Sequence, residues 1–363
     1  MTLLNHRRDA GTPTPGSKWR VGLAALGILL GSVLTTGSSL AENRPDPEWS
    51  AADIPSQEGR IFVVTGGTSG MGYEGAKALA AAGAQVIIAA RNPQRGQETI
   101  QRIQEEVPGA QVRFEAFDLA DLASVRALGE RLNATLPRLD GLINNAGVMT
   151  PPTRQVTGDG LELQFGVNYL GHFALTCRLL PLLRRSDAPR VVTLSSVAAR
   201  AGQIDLEDLQ SERLYRPMKA YGQSKLACLM FALELQRRSD EAGWGIRSVA
   251  AHPGVSRTDL LLNAPGRSSW QGLARSYLWF LFQPVAKGAL PTLYAATSAY
   301  TRPGTYYGPN GMGELRGLPS EAKIPPQALD TNVARRLWDI SEDLADLRYA
   351  EAPHYADNAL MVA

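Results

Sequence analysis

From Arg60 onward, short apolar runs alternate with longer amphipathic stretches. Ile61-Phe62-Val63-Val64 is a compact apolar run followed by glycines, the signature of a short buried strand. Residues 73–82 carry helical periodicity, and Gly83 stands where a helix would stop. The pattern then predicts strand at 86–89, helix at 93–107 ending before Pro108-Gly109, strand at 112–117 and helix at 124–136. A short strand at Leu142-Ile143, a long helical region over 160–183, strand at 190–194, helix at 220–238 and strand at 246–251 follow. Gly304-Thr305-Tyr306-Tyr307-Gly308 reads as a final edge strand and turn, and 333–347 as a C-terminal helix without chemical signature. Strands separated by helices of this length must run parallel, joined by right-handed crossovers and covered on both faces. The expected fold is therefore α/β: a doubly wound parallel sheet (Rossmann fold) in three α/β/α layers, without internal repeats or long linkers.

The first 58 residues do not share this pattern. A basic start with His6, Arg7, Arg8, Lys18 and Arg20 precedes an apolar run over 21–34, then Ser39-Leu40-Ala41 and an acidic stretch with Glu42, Asp46, Glu48 and Asp53. Three readings fit: a cleaved secretory signal, a membrane anchor over residues 21–40, or a working start near Glu48. The charge distribution would put the start in the cytoplasm and the main body outside. The expected division is an N-terminal extension over 1–58, one domain over 59–350, and a tail over 351–363.

Composition narrows the chemistry. With 37 basic against 35 acidic residues the net charge is +2, too balanced for a nucleic-acid partner. Hydrophobic residues make up 44% of the chain, enough for a large core. Cys177 and Cys228 sit inside apolar helical patterns and read as reduced core residues, and no ligand spacing suggests a metal.

Directly after the first strand comes Thr65-Gly66-Gly67-Thr68-Ser69-Gly70-Met71-Gly72, opening a helix. Glycines allow a tight turn and close backbone approach, and a helix start offers unpaired N–H groups and the positive end of its dipole, which suit a pyrophosphate. The spacing is T-G-x-x-x-G-x-G rather than G-x-G-x-x-G. Tyr221 and Lys225 stand one helical turn apart on one face of the helix predicted at 220–238. An ammonium beside a phenol favours the phenolate, which suits proton transfer near neutral pH.

These motifs, taken together and in this order, resemble the short-chain dehydrogenase/reductase family over about 59–348. Asn144-Asn145-Ala146-Gly147 resembles its N-N-A-G, Asp118-Leu119 its adenine-contacting Asp, and Pro253-Gly254-Val255-Ser256-Arg257-Thr258 its P-G-x-x-x-T beside the nicotinamide. The resemblance implies a nicotinamide dinucleotide held by Thr65, Gly66, Thr68, Ser69, Gly70, Met71, Gly72, Asp118, Leu119, Asn145, Ala146, Gly147, Pro253, Gly254, Val255 and Thr258, with Tyr221 and Lys225 against the ribose. The second strand ends in Ala89-Ala90-Arg91-Asn92, with no acid to meet a ribose 2′-hydroxyl. Arg91 offers a bidentate, charge-assisted contact to a 2′-phosphate, with Arg95 a second candidate, so NADP(H) is expected.

The implied catalytic set is Asn168, Ser196, Tyr221 and Lys225. Tyr221 would exchange a proton with substrate oxygen and Ser196, rather than its neighbour Ser195, would polarise the carbonyl. Lys225 would activate the tyrosine, and Asn168 would position a water for a proton relay through Lys225. His172 and His252 read as structural. The connection of about 25 residues between Ser196 and Tyr221, with Leu170-Gly171-His172-Phe173 and Ala90-Arg91, resembles the retinol dehydrogenase branch, with the WW-domain oxidoreductase and the protochlorophyllide reductases similar here.

Leu260-Leu261-Leu262, Trp270, Leu273 and Tyr277-Leu278-Trp279-Phe280-Leu281-Phe282 make the region at about 257–287 unusually apolar. A lid over a lipophilic alcohol or carbonyl compound is one reading; a packed helix, a membrane-facing patch or a contact between copies are the others. Three other functions remain to be separated: an NADP(H)-binding regulatory or scaffold protein without turnover, a protochlorophyllide reductase-like reduction, and a sugar-nucleotide epimerase or dehydratase, whose usual T-G-x-x-G-x-x-G cradle is absent here. The cofactor argues for a cytoplasmic catalytic domain with membrane association through residues 21–40, and export through the same segment is the alternative.

Overall fold

The computed structural model describes residues 48–255 and 283–349. The apolar N-terminal run, Thr258, nearly all of the apolar region at 257–287 and the tail at 351–363 lie outside the described residues.

Among the described residues, eight strands form one sheet in the order β3-β2-β1-β4-β5-β6-β7-β8. They are β1 (Ile61–Thr65), β2 (Gln85–Ala90), β3 (Val112–Ala116), β4 (Gly141–Asn144), β5 (Arg190–Leu194), β6 (Arg247–Ala251), β7 (Tyr306–Gly311) and β8 (Arg316–Glu321). The first seven pair in parallel. The expected doubly wound parallel sheet is thus present, with the strand order reversing direction between β1 and β4. In such sheets that reversal opens a crevice at the carboxyl ends of the strands.

The α-helices of the described residues are α1 (Gly70–Ala81), α2 (Pro93–Glu106) and α3 (Leu122–Thr135), then α4, built from Leu163–Phe165, a π-helical turn at Gly166–Leu170 and Gly171–Leu183. They continue with α5 (Pro217–Ala242), α6 (Val285–Thr297) and α7 (Thr331–Leu344). One core joins α3, α4, α5 and α7 to one face of the sheet through Val63, Ile87, Leu128, Phe173, Leu235 and Trp338. The other joins α1, α2 and α6 to the opposite face through Phe62, Val64, Leu79, Ile103 and Leu293. Strands buried on both faces explain why their sequences read as continuous apolar runs rather than alternating ones.

Two expectations need correction. Gly304–Gly308 is not the final edge: β7 turns into β8, which pairs with it antiparallel and forms the edge. The helix expected from Gly160 starts at Leu163, where Glu162 accepts a hydrogen bond from Phe165 N at 2.7 Å. Trp49 is also buried, edge-on to Tyr294 with ring centroids 5.2 Å apart, so the folded body begins about ten residues before Gly59. Cys177 and Cys228 are buried and unlinked. Among the described residues no helix is long and apolar enough to cross a membrane.

Candidate active site

At the carboxyl end of β1 the chain turns through Gly66 and Gly67 into α1. Gly66 has φ +66°, and a Cβ there would stand 2.9 Å from Ala146 Cβ. A Cβ on Gly72 would stand 2.4 Å from Gly66 O and 2.5 Å from Asn145 Nδ2. The first turn of α1 therefore rests on the backbone of the cradle, which only glycine permits. Ser69, the residue before the helix, makes no side-chain cap, leaving the helix-start N–H groups to face the crevice. These features fit a dinucleotide pyrophosphate.

Thr65 ties the cradle to the turn after β4. Its Oγ1 accepts from Asn145 N at 2.9 Å and Ala146 N at 3.0 Å and lies 2.8 Å from His172 Nε2. His172 Nδ1 donates to Asn168 O at 2.9 Å, so Nε2 is the acceptor and the Thr65 hydroxyl donates to it. Burial, reinforced by the charge of Lys225, pushes the His172 pKa down to about 4 despite the Asn168 bond, so the ring is neutral at physiological pH. His172 is thus a buried brace between β1 and α4, as the sequence reading expected.

Of the predicted catalytic residues, Asn168 and Lys225 meet on the other side of this turn, over Gly147. Tyr221 and Lys225 both lie on the buried face of α5, 6% and 5% exposed. Lys225 Nζ donates to Leu194 O, at the end of β5, at 3.1 Å. A Cβ on Gly147 would stand 3.0 Å from Asn168 Oδ1 and 3.5 Å from Lys225 Nζ, which puts the amide and the ammonium side by side over Gly147. Asn168 sits in the π-turn of α4, a common mark of a functional position in a helix. Its side chain is fully engaged: Oδ1 accepts from Val148 N at 2.7 Å, and Nδ2 donates to Val148 O and Ser224 Oγ, both at 2.9 Å.

The two serines after β5 differ. Ser195 is buried and donates to Lys225 O at 2.7 Å, a structural bond that fixes α5. Ser196 is half-buried, and its Oγ accepts from Ala198 N at 3.2 Å. Arg91 and Arg95 are exposed at the end of β2 and in the first turn of α2. Asp118 Oδ1 accepts from Ala120 N at 2.9 Å, which shapes the turn after β3, and Leu119 is buried. The segment 253–255 follows β6; Gln283 donates to Pro253 O at 2.6 Å and to Val255 O at 3.1 Å.

Sequence reading had singled out neither Thr65's tie to the N-N-A-G turn nor Glu314, whose carboxylate lies 3.0 Å from His252 Nε2. Glu314 is an acid in a turn, a pattern that usually marks a solvated side chain. Only its hydrogen bonds to residues distant in sequence distinguish it.

A strand, a glycine turn and a helix start around a crevice at the sheet's switch point define a nucleotide-binding α/β protein. The short chain dehydrogenase family model matches residues 60–266, and the chain belongs to that family of oxidoreductases. It is similar to polyprenol dehydrogenase of Mus musculus, 41% identical over 293 residues, covering 78% of this chain and 83% of the relative. It is similar to retinol dehydrogenase 12 of Homo sapiens, 38% identical over 300 residues, covering 80% and 88%. Among solved structures it matches an uncharacterized protein from Mycobacterium paratuberculosis with TM-score 0.69 and 38% identity, covering 83% of this chain and 98% of the other. It also matches the Pseudomonas aeruginosa RhlG/NADP active-site complex with TM-score 0.55 and 27% identity, covering 69% and 94%. The retinol dehydrogenase-like branch expected from the sequence is the one these relatives define.

Proposed function

We propose that this enzyme interconverts an alcohol and a carbonyl group on a lipophilic substrate with NADP(H), using Tyr221 as its proton-transfer residue. The observation that carries the reading is that Tyr221 and Lys225 are both buried one helical turn apart on α5, with the Lys225 ammonium and the Asn168 amide meeting over Gly147 in the turn next to the glycine cradle. The cradle fits the cofactor, since the glycines at 66 and 72 let the turn after β1 and the first turn of α1 close on each other, and the helix start carries no side-chain cap.

Thr65 to Gly72 would hold the pyrophosphate, Asp118 and Leu119 the adenine, Arg91 the 2′-phosphate, and Asn145, Ala146, Gly147, 253–255 and Thr258 the nicotinamide half. When bound, the dinucleotide supplies or accepts the hydride. Tyr221 gives a proton to the substrate oxygen in the reducing direction and takes it in the oxidising one. Lys225, one helical turn from Tyr221, would hold the ribose. Ser196 donates to the carbonyl oxygen as negative charge grows on it. Asn168 holds the 147–148 backbone beside Lys225; its side chain and its carbonyl are taken by protein partners, so the expected water-positioning role is replaced by a structural one.

Two features support a lipophilic substrate. The apolar segment 256–282 leaves at Val255 and returns at Gln283, and the 3.1 Å bond between those two residues closes its neck beside the site. The relatives carry polyprenol and retinol in their names. We place membrane association in residues 21–40 and the catalytic domain on the cytoplasmic side. Loss of NADPH absorbance against a panel of carbonyl compounds tests the reading. Turnover is expected with long apolar aldehydes and ketones and with NADPH over NADH. Faster turnover of small polar aldehydes, or equal kcat/KM for the two cofactors, would overturn the substrate or the cofactor assignment respectively.

A further inference from the structure

Building on that reading, we infer that Glu314 is a positioning residue of the active site: its carboxylate, in the turn between β7 and β8, clamps the Ser196 segment and the 253–255 segment together. The two segments end neighbouring strands, β5 and β6, and the hairpin lies on the far side of β6. Arg200, four residues after Ser196, reaches across to it. Its Nη2 donates to Glu314 Oε2 and its Nη1 to Gly313 O at 3.0 Å.

His252 comes from the other side. It is fully buried and immediately precedes Pro253-Gly254. Its Nδ1 accepts from Gly254 N at 3.2 Å, so Nε2 carries the proton and donates to Glu314 Oε2 at 3.0 Å. The second carboxylate oxygen accepts from Lys323 N at 2.9 Å. The backbone of the same turn completes the clamp: Leu315 O accepts from Val255 N at 2.8 Å, and a Cβ on Gly254, at φ +64°, would stand 2.3 Å from that oxygen. Tyr306, on β7, donates to Ser196 O at 3.3 Å.

An exposed ion pair of this kind would contribute little. Here one carboxylate receives a guanidinium, an imidazole and a backbone amide, and its side chain is 19% exposed. The turn is also strained. Met312 and Glu314, both non-glycine, take φ of +47° and +68°, with Gly313 between them at +66°. Such conformations persist where surrounding bonds enforce them, and they gather at functional sites. Burial favours the neutral imidazole of His252. Burial also pushes the Glu314 carboxyl up, but the bonds from His252 and Lys323 outweigh it and hold the acid below its usual range. Glu314 is thus an anion between two segments that must keep register for hydride and proton transfer to meet at one carbonyl.

The test is Glu314→Gln in the full chain, which keeps the side-chain size but turns one acceptor into a donor. kcat should fall about tenfold or more. NADPH Kd, to which the cradle and Arg91 contribute more than the 253–255 segment, should rise by less than kcat falls, within about threefold. In a Ser196→Ala background the same change should cost clearly less than in the wild type, because one of the two groups it positions is gone. Hydrogen exchange should rise at 197–202 and 253–255. Arg200→Gln, which cuts one arm, should raise exchange only at 197–202. Wild-type kcat in Glu314→Gln, or equal losses in both backgrounds, would overturn the assignment and leave the oxidoreductase reading intact. If the wild-type chain turns over no carbonyl compound, that reading fails instead. The exchange experiment then decides alone: unchanged protection in both segments refutes the clamp, and raised protection loss in both supports it.

Discussion

Replacing Thr65 by valine removes one hydroxyl and leaves several polar groups without their partner. Thr65 is completely buried, and its Oγ1 is shared by Asn145 N, Ala146 N and His172 Nε2, with Ile143 O a fourth neighbour at 3.3 Å. Valine has nearly the same shape, so the packing term is small and the loss is almost entirely polar. Asn145 N keeps its bond to Ile143 O at 3.0 Å, so the groups orphaned are Ala146 N, in the turn, and His172 Nε2, on α4; at about 1–3 kcal/mol each the total is about 2–5 kcal/mol. At about 2–4 °C per kcal/mol for a domain of this size, Tm should fall by roughly 10 °C. The loss is also functional. The 145–147 turn is held over the cradle by these bonds, so NADPH Kd should rise about tenfold or more as that turn drifts. Thr65→Ser keeps the hydroxyl and should cost about 1 kcal/mol for the missing methyl group. Thermal unfolding with and without NADPH, together with fluorescence titration of the cofactor, measures both effects. A valine variant with Tm within about 2 °C of wild type and unchanged Kd would refute the hydroxyl's role as a shared hub.

Two further outcomes follow from single residues. Arg91→Ala should cut kcat/KM for NADPH by about 10–100-fold, the worth of a charge-assisted phosphate contact, and leave NADH within about threefold; comparable losses for both cofactors would remove Arg91 from the 2′-phosphate. The pH dependence of stability should carry His172's signature. Its folded pKa of about 4 lies below the ordinary value of 6.5, so the unfolded chain binds the extra proton in between. The stability gained from a neutral ring is complete above pH 6.5 and is lost as pH falls toward 4, about 2 kcal/mol of it by pH 5. Urea midpoints at pH 7.5 and pH 5 should differ less in His172→Gln than in wild type, and an equal difference would show that another group carries the effect.

The sheet and its helices were legible because parallel strands buried on both faces leave continuous apolar runs, and because glycines mark the turns between them. β8 was not. Arg316-Gly317-Leu318-Pro319-Ser320-Glu321 has neither an apolar run nor alternation, and it is a strand only because β7 supplies its partners. An edge strand tolerates a proline that an interior strand does not. The site divided along similar lines. Tyr221, Lys225 and the glycine cradle are local motifs with fixed spacing, so one dimension suffices to find them. The difference between Ser195 and Ser196 depends on which hydroxyl α5 engages, and that contact spans 30 residues. Glu314 reaches Arg200 across 114 positions and His252 across 62, distances at which a single sequence offers no spacing to read. The π-turn at Asn168 was hidden too, since helical periodicity barely changes over one widened turn.

The most direct trial of the proton-transfer assignment is Tyr221→Phe, measured for both turnover and cofactor binding on the same preparation. Losing the phenol oxygen should abolish turnover of the best carbonyl substrate by about a thousandfold or more, with NADPH Kd unchanged within about threefold and Tm near wild type. Substantial turnover retained by the phenylalanine enzyme would contradict the account, because the proton would then have to come from another group.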